Sequence, residues 1–161
     1  MKILKYTLLS CLIFFCSACL AQKSNQDSLL QLKKIEQIDT TTFKFNNNIW
    51  WLDINPILKK QLLNDVKQSL YNLVNGKMGV YYVNGGNAVL MMEEVNKFIL
   101  KKYHIVLKYT HCTPSRYQLL YSELFNKHYK EVFGKDIHNI IFTYDKWVHK
   151  KAAEAFHKKR K

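Results

Sequence analysis

Hydrophobic and polar residues form two different patterns between residues 43 and 161, and each pattern predicts a different element. Two short runs rich in β-branched and aromatic residues, Val80–Val83 and His104–Tyr109, are typical of strands. Residues 40–45 and 49–53 are further strand candidates. Elsewhere apolar residues recur every three or four positions, which predicts amphipathic helices. The sequence therefore predicts an α/β domain: a small two- to four-stranded sheet with a parallel β-α-β core, covered by about four helices.

Capping residues mark where the predicted helices begin and end. Asn55, just before a proline, is typical of a helix start because its side chain can accept a hydrogen bond from a free backbone amide. Ser115 and Gln118 have the spacing of a capping box. Gly134 can adopt the left-handed conformation that ends a helix, and Asp136 can cap the next one. The last two helices are therefore predicted to meet around Gly134.

The last helix is predicted to combine an apolar inner stripe with a basic end. Its apolar positions recur at helical spacing and are expected to face the core; they are Ile137, Ile140, Ile141, Tyr144, Val148 and Ala155. From Lys146 onward the chain has seven Lys or Arg residues and one acid, Glu154. Cations near a helix C-terminus suit the backbone dipole, so part of this basic run needs no partner to explain it.

Two turns are predicted to lie side by side at one edge of the sheet. The strand Val80–Val83 runs into the turn at residues 84–87, and the strand His104–Tyr109 runs into the turn at residues 110–115. Parallel strands joined by a crossover helix bring their carboxyl ends to the same edge, where the N-termini of the following helices also point. This edge is the predicted location of a candidate site.

Cys112 is the candidate nucleophile at this edge. A thiol just ahead of a helix N-terminus, with His111 beside it and Arg116 in the first turn, has its pKa lowered toward the thiolate form. Cys112 and Ser115 also form the Cys-x-x-Ser outline of a one-thiol redox site. A thioredoxin-like fold, however, needs further strands after this helix, and the sequence after Ser115 is helical throughout. A structural Cys is therefore our first interpretation, and a thiol-dependent enzyme with Cys112 and His111 as catalytic residues is the alternative.

The turn at residues 84–87 is a candidate anion site. Its backbone amides at Gly85, Gly86 and Asn87 could contact a phosphate or carboxylate at a helix N-terminus, with Arg116 supplying a positive charge. The turn lacks the Lys-Ser/Thr ending of a P-loop and the third glycine of a dinucleotide fingerprint. A tight strand-to-helix turn without a ligand is our first interpretation, and the anion site is the alternative.

The last helix also places three residues of metal-ligating type on one edge. His138, Asp145 and His149 are spaced for this, and the last two lie one turn apart. Structural zinc sites usually have four protein ligands, and two-ligand spacing occurs often by chance. The sequence therefore predicts a solvated polar edge, with no metal and no cofactor.

The N-terminus has the layout of a secretory signal peptide. Basic residues come first, the apolar run Leu8–Phe15 follows, and small residues continue to Ala21. The apolar run is shorter than the roughly 20 residues of a membrane-spanning helix. We predict that residues 1–21 are a signal peptide, that residues 22–42 are a polar tether, and that residues 43–161 form a single domain in the bacterial cell envelope without a transmembrane span.

The end of this signal resembles the lipobox of bacterial lipoproteins. In the segment Cys16-Ser17-Ala18-Cys19 the two small residues before the last cysteine fit that pattern, while the first cysteine stands where leucine is usual. The resemblance implies that Cys19 carries a lipid after cleavage. Cleavage after Ala21 by an ordinary signal peptidase stays open as the alternative.

Net charge narrows the class of partner. The whole chain carries +13, and removal of Lys2 and Lys5 leaves 23 basic and 12 acidic residues, a net +11. The predicted mature part keeps too few cysteines for a disulfide framework. A charge this large attracts anionic surfaces, and for an exported chain these are an acidic protein or an anionic lipid or glycolipid surface rather than nucleic acid. The sequence predicts a basic, non-enzymatic, envelope-tethered protein that binds such a partner.

The two interpretations of Cys112 predict opposite results in one experiment. In a chain beginning at Gln22, Cys112 is the only cysteine. A structural thiol is expected to resist a small alkylating reagent at about pH 6.5, well below the ~8.5 pKa of a free thiol, until the protein is unfolded. Mass spectrometry of native and urea-unfolded protein measures this difference. Rapid alkylation of the native protein would instead support the thiol-dependent site.

Overall fold

The computed structural model describes residues 26–38, 55–84, 89–110 and 114–158. These residues contain five helices and two strands, so the fold is α/β in the broad sense of a helical domain with a small sheet. The strand candidates at residues 40–53 lie outside the described residues. In chain order the elements are α1 (26–36), α2 (Pro56–Val74), β1 (Gly79–Asn84), α3 (Val89–Tyr103), β2 (Ile105–Thr110), α4 (Arg116–Phe133) and α5 (Ile137–Lys158).

The two strands pair in parallel, which confirms the predicted strand direction. Gly79 lies opposite Ile105 at one end of the sheet, and Asn84 lies opposite Thr110 at the other end. Strands of this orientation need a long connection, and here it contains α3. Both strands therefore end at the same edge, as predicted for the candidate site.

His104 does not begin the second strand, so that predicted boundary is wrong by one residue. Its backbone amide donates to the carbonyl of Leu100, 3.0 Å away, which continues the hydrogen bonding of α3. Its φ of 56° lies in the left-handed region that ends many helices. The carbonyl of His104 then accepts from the amide of Gly79, at 3.0 Å. His104 thus turns the chain from α3 into β2.

A row of aromatic rings on α4 packs toward the sheet. The rings stand four residues apart and therefore share one face of the helix. Neighbouring ring centroids lie 4.7 to 6.1 Å apart; the rings belong to Tyr117, Tyr121, Phe125, Tyr129 and Phe133. Phe125 is fully buried and lies 5.7 Å from the ring of Tyr81 on β1. Through Tyr121 and Phe125 this row contacts the rings of Tyr82 and Tyr81 on β1.

Hydroxyl groups in the same row tie α4 to α2 and β1. The Tyr117 hydroxyl donates to the Asp65 carboxylate at 2.5 Å. The pKa of Tyr117 is raised above its usual range, mainly by burial and to a smaller extent by this hydrogen bond. The Tyr121 hydroxyl lies 2.6 Å from Ser69 Oγ and 3.1 Å from the carbonyl oxygen of Val80. Buried polar groups are costly unless hydrogen-bonded, and these contacts satisfy them.

Helix α1 contributes to the core of the domain. Ile35 is fully buried, and Ile38, just after the helix, is also buried. The side-chain amine of Lys34 donates to the carbonyl of Glu131 on α4, at 3.1 Å. Residues 34–38, which lie within the segment predicted to be a polar tether, therefore pack against the domain that follows.

The predicted helix caps are present. Asn55 Oδ1 accepts from the amide of Ile57 at 2.9 Å, and Ser115 forms the capping box at the start of α4. Gly134 ends α4 with a φ of 68°, and Asp136 Oδ1 accepts from the amide of Asn139 at 3.0 Å. Each cap is a short-range contact between residues close in sequence, which explains why the sequence predicts it well.

Candidate functional site

The sheet edge of the candidate site is present, but most of the side chains predicted there lie outside the described residues. Asn84 and Thr110 end the two strands as neighbours. The turns that follow them are at residues 85–88 and 111–113. The predicted site residues in these turns are Gly85, Gly86, Asn87, His111 and Cys112, and like the lipidation candidate Cys19 they are not among the described residues. Their proposed roles stay predictions.

Arg116 is the one predicted residue of this edge that the structure describes. It is the first residue of α4 and its side chain is exposed. The preceding residue, Ser115, accepts from the amide of Gln118 at 3.2 Å, and the Gln118 side chain accepts from the amide of Ser115 at 2.9 Å. These two amides are therefore engaged in capping the helix, which reduces the donors at this N-terminus that an anion could use.

A different surface, the C-terminal half of α5, is where the structure departs most from the predicted packing. The buried residues of α5 are Ile137, Ile141 and Val148. Each residue from 149 to 158 is exposed, so the prediction that Ala155 faces the core is wrong. We call residues 149–158 the α5 arm. Ten helical residues span about 15 Å, so the arm extends well past the last core contact of the helix.

The α5 arm is amphipathic. Ala155 and Phe156 follow Ala152 by three and four residues, so the three lie on one side and continue the line of Val148. Phe156 is 55% exposed, which is unusual for a ring of its size. Lysines at positions 150, 151 and 158 are also exposed, and three more basic residues follow at positions 159–161 of the sequence. The arm therefore combines apolar side chains with a local excess of positive charge.

Further exposed aromatic rings lie on the first half of α5. Phe142 is 53% exposed, and the Lys146 amine lies 4.2 Å from the centroid of its ring. Trp147 is half exposed and stacks on Tyr144, with ring centroids 5.4 Å apart. Tyr144 in turn stacks at 3.7 Å on Phe98 of α3, which anchors this half of α5 to the body of the domain.

Of the three metal-ligating residues on α5, His138 contacts Tyr81, while Asp145 and His149 contact each other. His138 Nδ1 lies 3.3 Å from the hydroxyl of Tyr81, while His149 Nε2 lies 3.6 Å from Asp145 Oδ1. The pKa of Tyr109 is raised to about 12, mainly by burial and to a smaller extent also by this Asp145. Across the described ranges, no group of three or more His, Cys, Asp or Glu residues is arranged to hold a metal ion.

Among residues 26–38, 55–84, 89–110 and 114–158, no helix has both the length and the apolar character that a bilayer span requires.

His128 is a buried titratable residue that the sequence analysis missed. It is only 4% exposed, and its Nδ1 lies 2.6 Å from Glu131 Oε2. A carboxylate can only accept, so Nδ1 carries a hydrogen and donates it. Burial lowers the pKa of His128, and nearby Lys127 and Lys67 act in the same direction, whereas Glu131 raises it. Position 128 lies one helical turn from both Leu124 and Val132, and this spacing on the apolar stripe is the signal that could have identified it.

The lowered pKa of His128 predicts a loss of stability in mild acid. Above the ~6.5 pKa of an unfolded histidine, His128 is neutral in both states and contributes no pH dependence. Below it the unfolded chain binds the proton more readily, so the free energy of unfolding is expected to fall with pH, by at most about 1.4 kcal/mol per pH unit from this group. Urea unfolding between about pH 7.5 and about pH 5.5 measures the slope.

Two glutamine variants separate this effect from the other titrating groups. H128Q removes the buried titrating ring and is expected to have a shallower slope than the wild type. H157Q changes an exposed histidine of the α5 arm and should keep the wild-type slope. Equal slopes for H128Q and the wild type would show that His128 is not the group responsible.

No protein-family model, no curated protein and no solved structure matches the chain. The arrangement of the chain's own residues is accordingly the basis of the proposal that follows.

Proposed function

We propose that this chain is an exported, envelope-tethered, non-enzymatic protein that binds an acidic partner or an anionic surface through α5. The observation that carries the proposal is the α5 arm, in which exposed lysines and Phe156 stand together beyond the last core contact of the helix. Exposed charge of one sign attracts the opposite charge over a distance, and exposed aromatic rings add contact area on arrival.

The net charge of the whole chain and its distribution support the same proposal. The chain as a whole carries +13, so the field of the entire protein favours an anionic partner. Within α5 and the residues after it, the bases outnumber the acids most strongly from Lys146 onward, where there are seven Lys or Arg residues and one acid. Part of this excess suits the helix dipole, and the sequence adds three more basic residues after Lys158, the last residue of α5. The surplus is available for a partner.

The buried tyrosines support a structural rather than a catalytic role for the polar groups of the core. Burial raises the pKa of Tyr81, Tyr117 and Tyr121 above their usual range, so all three stay protonated at neutral pH. Their hydroxyls contact groups on neighbouring elements, which fits the tying together of helices and sheet. These contacts support a structural role for the three hydroxyl groups.

The proposed protein has a defined core architecture and a location in the bacterial envelope. We propose a parallel β-α-β core under a cover of about four helices, following a signal peptide at residues 1–21. In a bacterial envelope, phosphates of lipids and glycolipids are the main anionic surfaces a tethered protein would meet. The proposed tether would keep the domain, with its basic α5, at a surface of opposite charge.

The mass of the mature N-terminus tests the proposed export. Expression in a bacterial host followed by mass spectrometry is expected to show either a lipid on Cys19 as the first residue or a chain that begins at Gln22. Both outcomes agree with export, and they distinguish the tethered from the soluble form. An intact Met1 in the cytosolic fraction would contradict the proposal.

Neutralising the basic end tests the proposed binding. Replacing Lys158, Lys159, Arg160 and Lys161 together by Gln is expected to weaken binding to an acidic polymer or anionic vesicles at least about tenfold, because each basic residue near an anionic surface contributes about 1 kcal/mol. Binding of the wild type should also weaken as salt rises, since screening acts over roughly 8 Å at physiological ionic strength. Sedimentation with the probe at several salt concentrations measures both effects.

A second variant with the same net charge provides the control. Lys33, Lys60, Lys77 and Lys101 are exposed residues outside α5, and replacing all four by Gln removes the same four charges. This control is expected to lose less affinity than the variant of the basic end. Equal losses would show that net charge, and not the position of α5, governs binding.

A further inference from the structure

We infer that the anionic surface is a phospholipid bilayer, and that the α5 arm lies along its headgroup region with the ring of Phe156 inserted. The inference rests on the proposed function and adds the chemistry of the partner. It follows from the distribution of apolar, basic and acidic side chains around the arm, which is the distribution of an interfacial helix.

The apolar side of the arm has the shape that such a helix needs. Ala152, Ala155 and Phe156 form a narrow strip with one large ring and two small side chains. Small side chains let the helix axis approach the surface, and the ring can then reach below the headgroups. Because Phe156 is 55% exposed, a large apolar area is accessible on this side in the domain itself.

Lysines border this strip. Lys151 lies four residues before Ala155 and Lys158 lies three residues after it, so both stand next to Ala155 on the helix surface. Long lysine side chains can bend so that their amines reach lipid phosphates while their methylene stems contact apolar surface. The order of apolar strip and basic border is typical of helices that lie on anionic membranes.

The one acid of the arm is placed away from the inserted ring. Glu154 precedes Phe156 by two residues, which is about 200° of rotation around the helix axis. Its carboxylate lies 3.1 Å from the Lys151 amine, in a pair whose members are both about half exposed. Exposed ion pairs are weak in water, so Lys151 can exchange this partner for a lipid phosphate.

The composition of the strip favours a bilayer over an acidic protein. An acidic protein would be recognised by the charges alone, and its surface would have to supply a pocket for the exposed ring. A bilayer interface accepts an aromatic ring anywhere along its plane. A lipid surface therefore explains why Phe156 and the lysines occur together, and it needs no pocket for the ring.

Vesicle binding by two phenylalanine variants tests the inference. The chain is used from Gln22 onward, so that no lipid anchor contributes. F156A changes the ring in the arm, and F142A changes an equally exposed ring, at 53%, in the half of α5 that packs on the body. Both positions are exposed, so unchanged far-UV circular dichroism is expected for both variants. The probes are phosphatidylcholine vesicles with phosphatidylglycerol, vesicles of phosphatidylcholine alone, and soluble polyglutamate.

The expected result is that the wild type binds the anionic vesicles and not the neutral ones, and that F156A weakens this binding by about fivefold to tenfold because a buried ring is lost. F142A should bind the vesicles as the wild type does. All three proteins should bind polyglutamate equally, since none of the changes alters charge. This pattern supports both insertion of Phe156 and the proposed attraction to anions.

The contrary results separate the inference from the proposed function. Equal vesicle binding by F156A and the wild type would overturn insertion while leaving the electrostatic function intact. Binding to polyglutamate but not to anionic vesicles would overturn the lipid partner and favour an acidic protein. Equal binding to neutral and anionic vesicles would show that charge does not govern binding to the bilayer. Binding to none of the probes would overturn the proposed function together with the inference.

Discussion

The parallel pairing of β1 and β2 is the constraint on which the rest of the structure depends. Parallel strands cannot be joined by a tight turn, so the chain must leave the sheet, form α3 and return. A two-stranded sheet is too small to be stable by itself, and its side chains must be covered by helices. α2 and α4 contact β1, while α3 contacts β2 and α5. The helices therefore supply most of the core, and the sheet aligns them.

Helix α4 covers β1 with side chains that combine rings with hydroxyls. The rings fill space against β1, and the hydroxyls of Tyr117 and Tyr121 bond to α2 and to the strand backbone. A ring with a polar end can satisfy buried acceptors without adding a charge. His128 joins this face as a neutral side chain, which suits burial but makes the core sensitive to protons.

The proposed binding surface lies where this packing stops. In the first half of α5, Ile141 and Val148 are buried, and Tyr144 stacks on Phe98. In the second half the same helical period continues, yet each residue is exposed. A helix whose apolar strip outlasts its core contacts presents that strip to solvent together with the neighbouring charges. The domain thus packs against the first half of α5, while residues 149–158 are exposed.

The sequence by itself determined the features that depend on near neighbours. Caps such as Ser115 and Gly134 and the helical periods act within a few residues, and the two strands with the helical stretch between them predicted the parallel pair. The sequence also indicated where a site could lie, although the side chains of that edge are outside the described residues. Only the tertiary structure decided that Ile35 enters the core, that His128 is buried and that Ala155 is exposed. Burial depends on which distant element lies against a face, and the period of a helix does not encode how far along that face its neighbour extends.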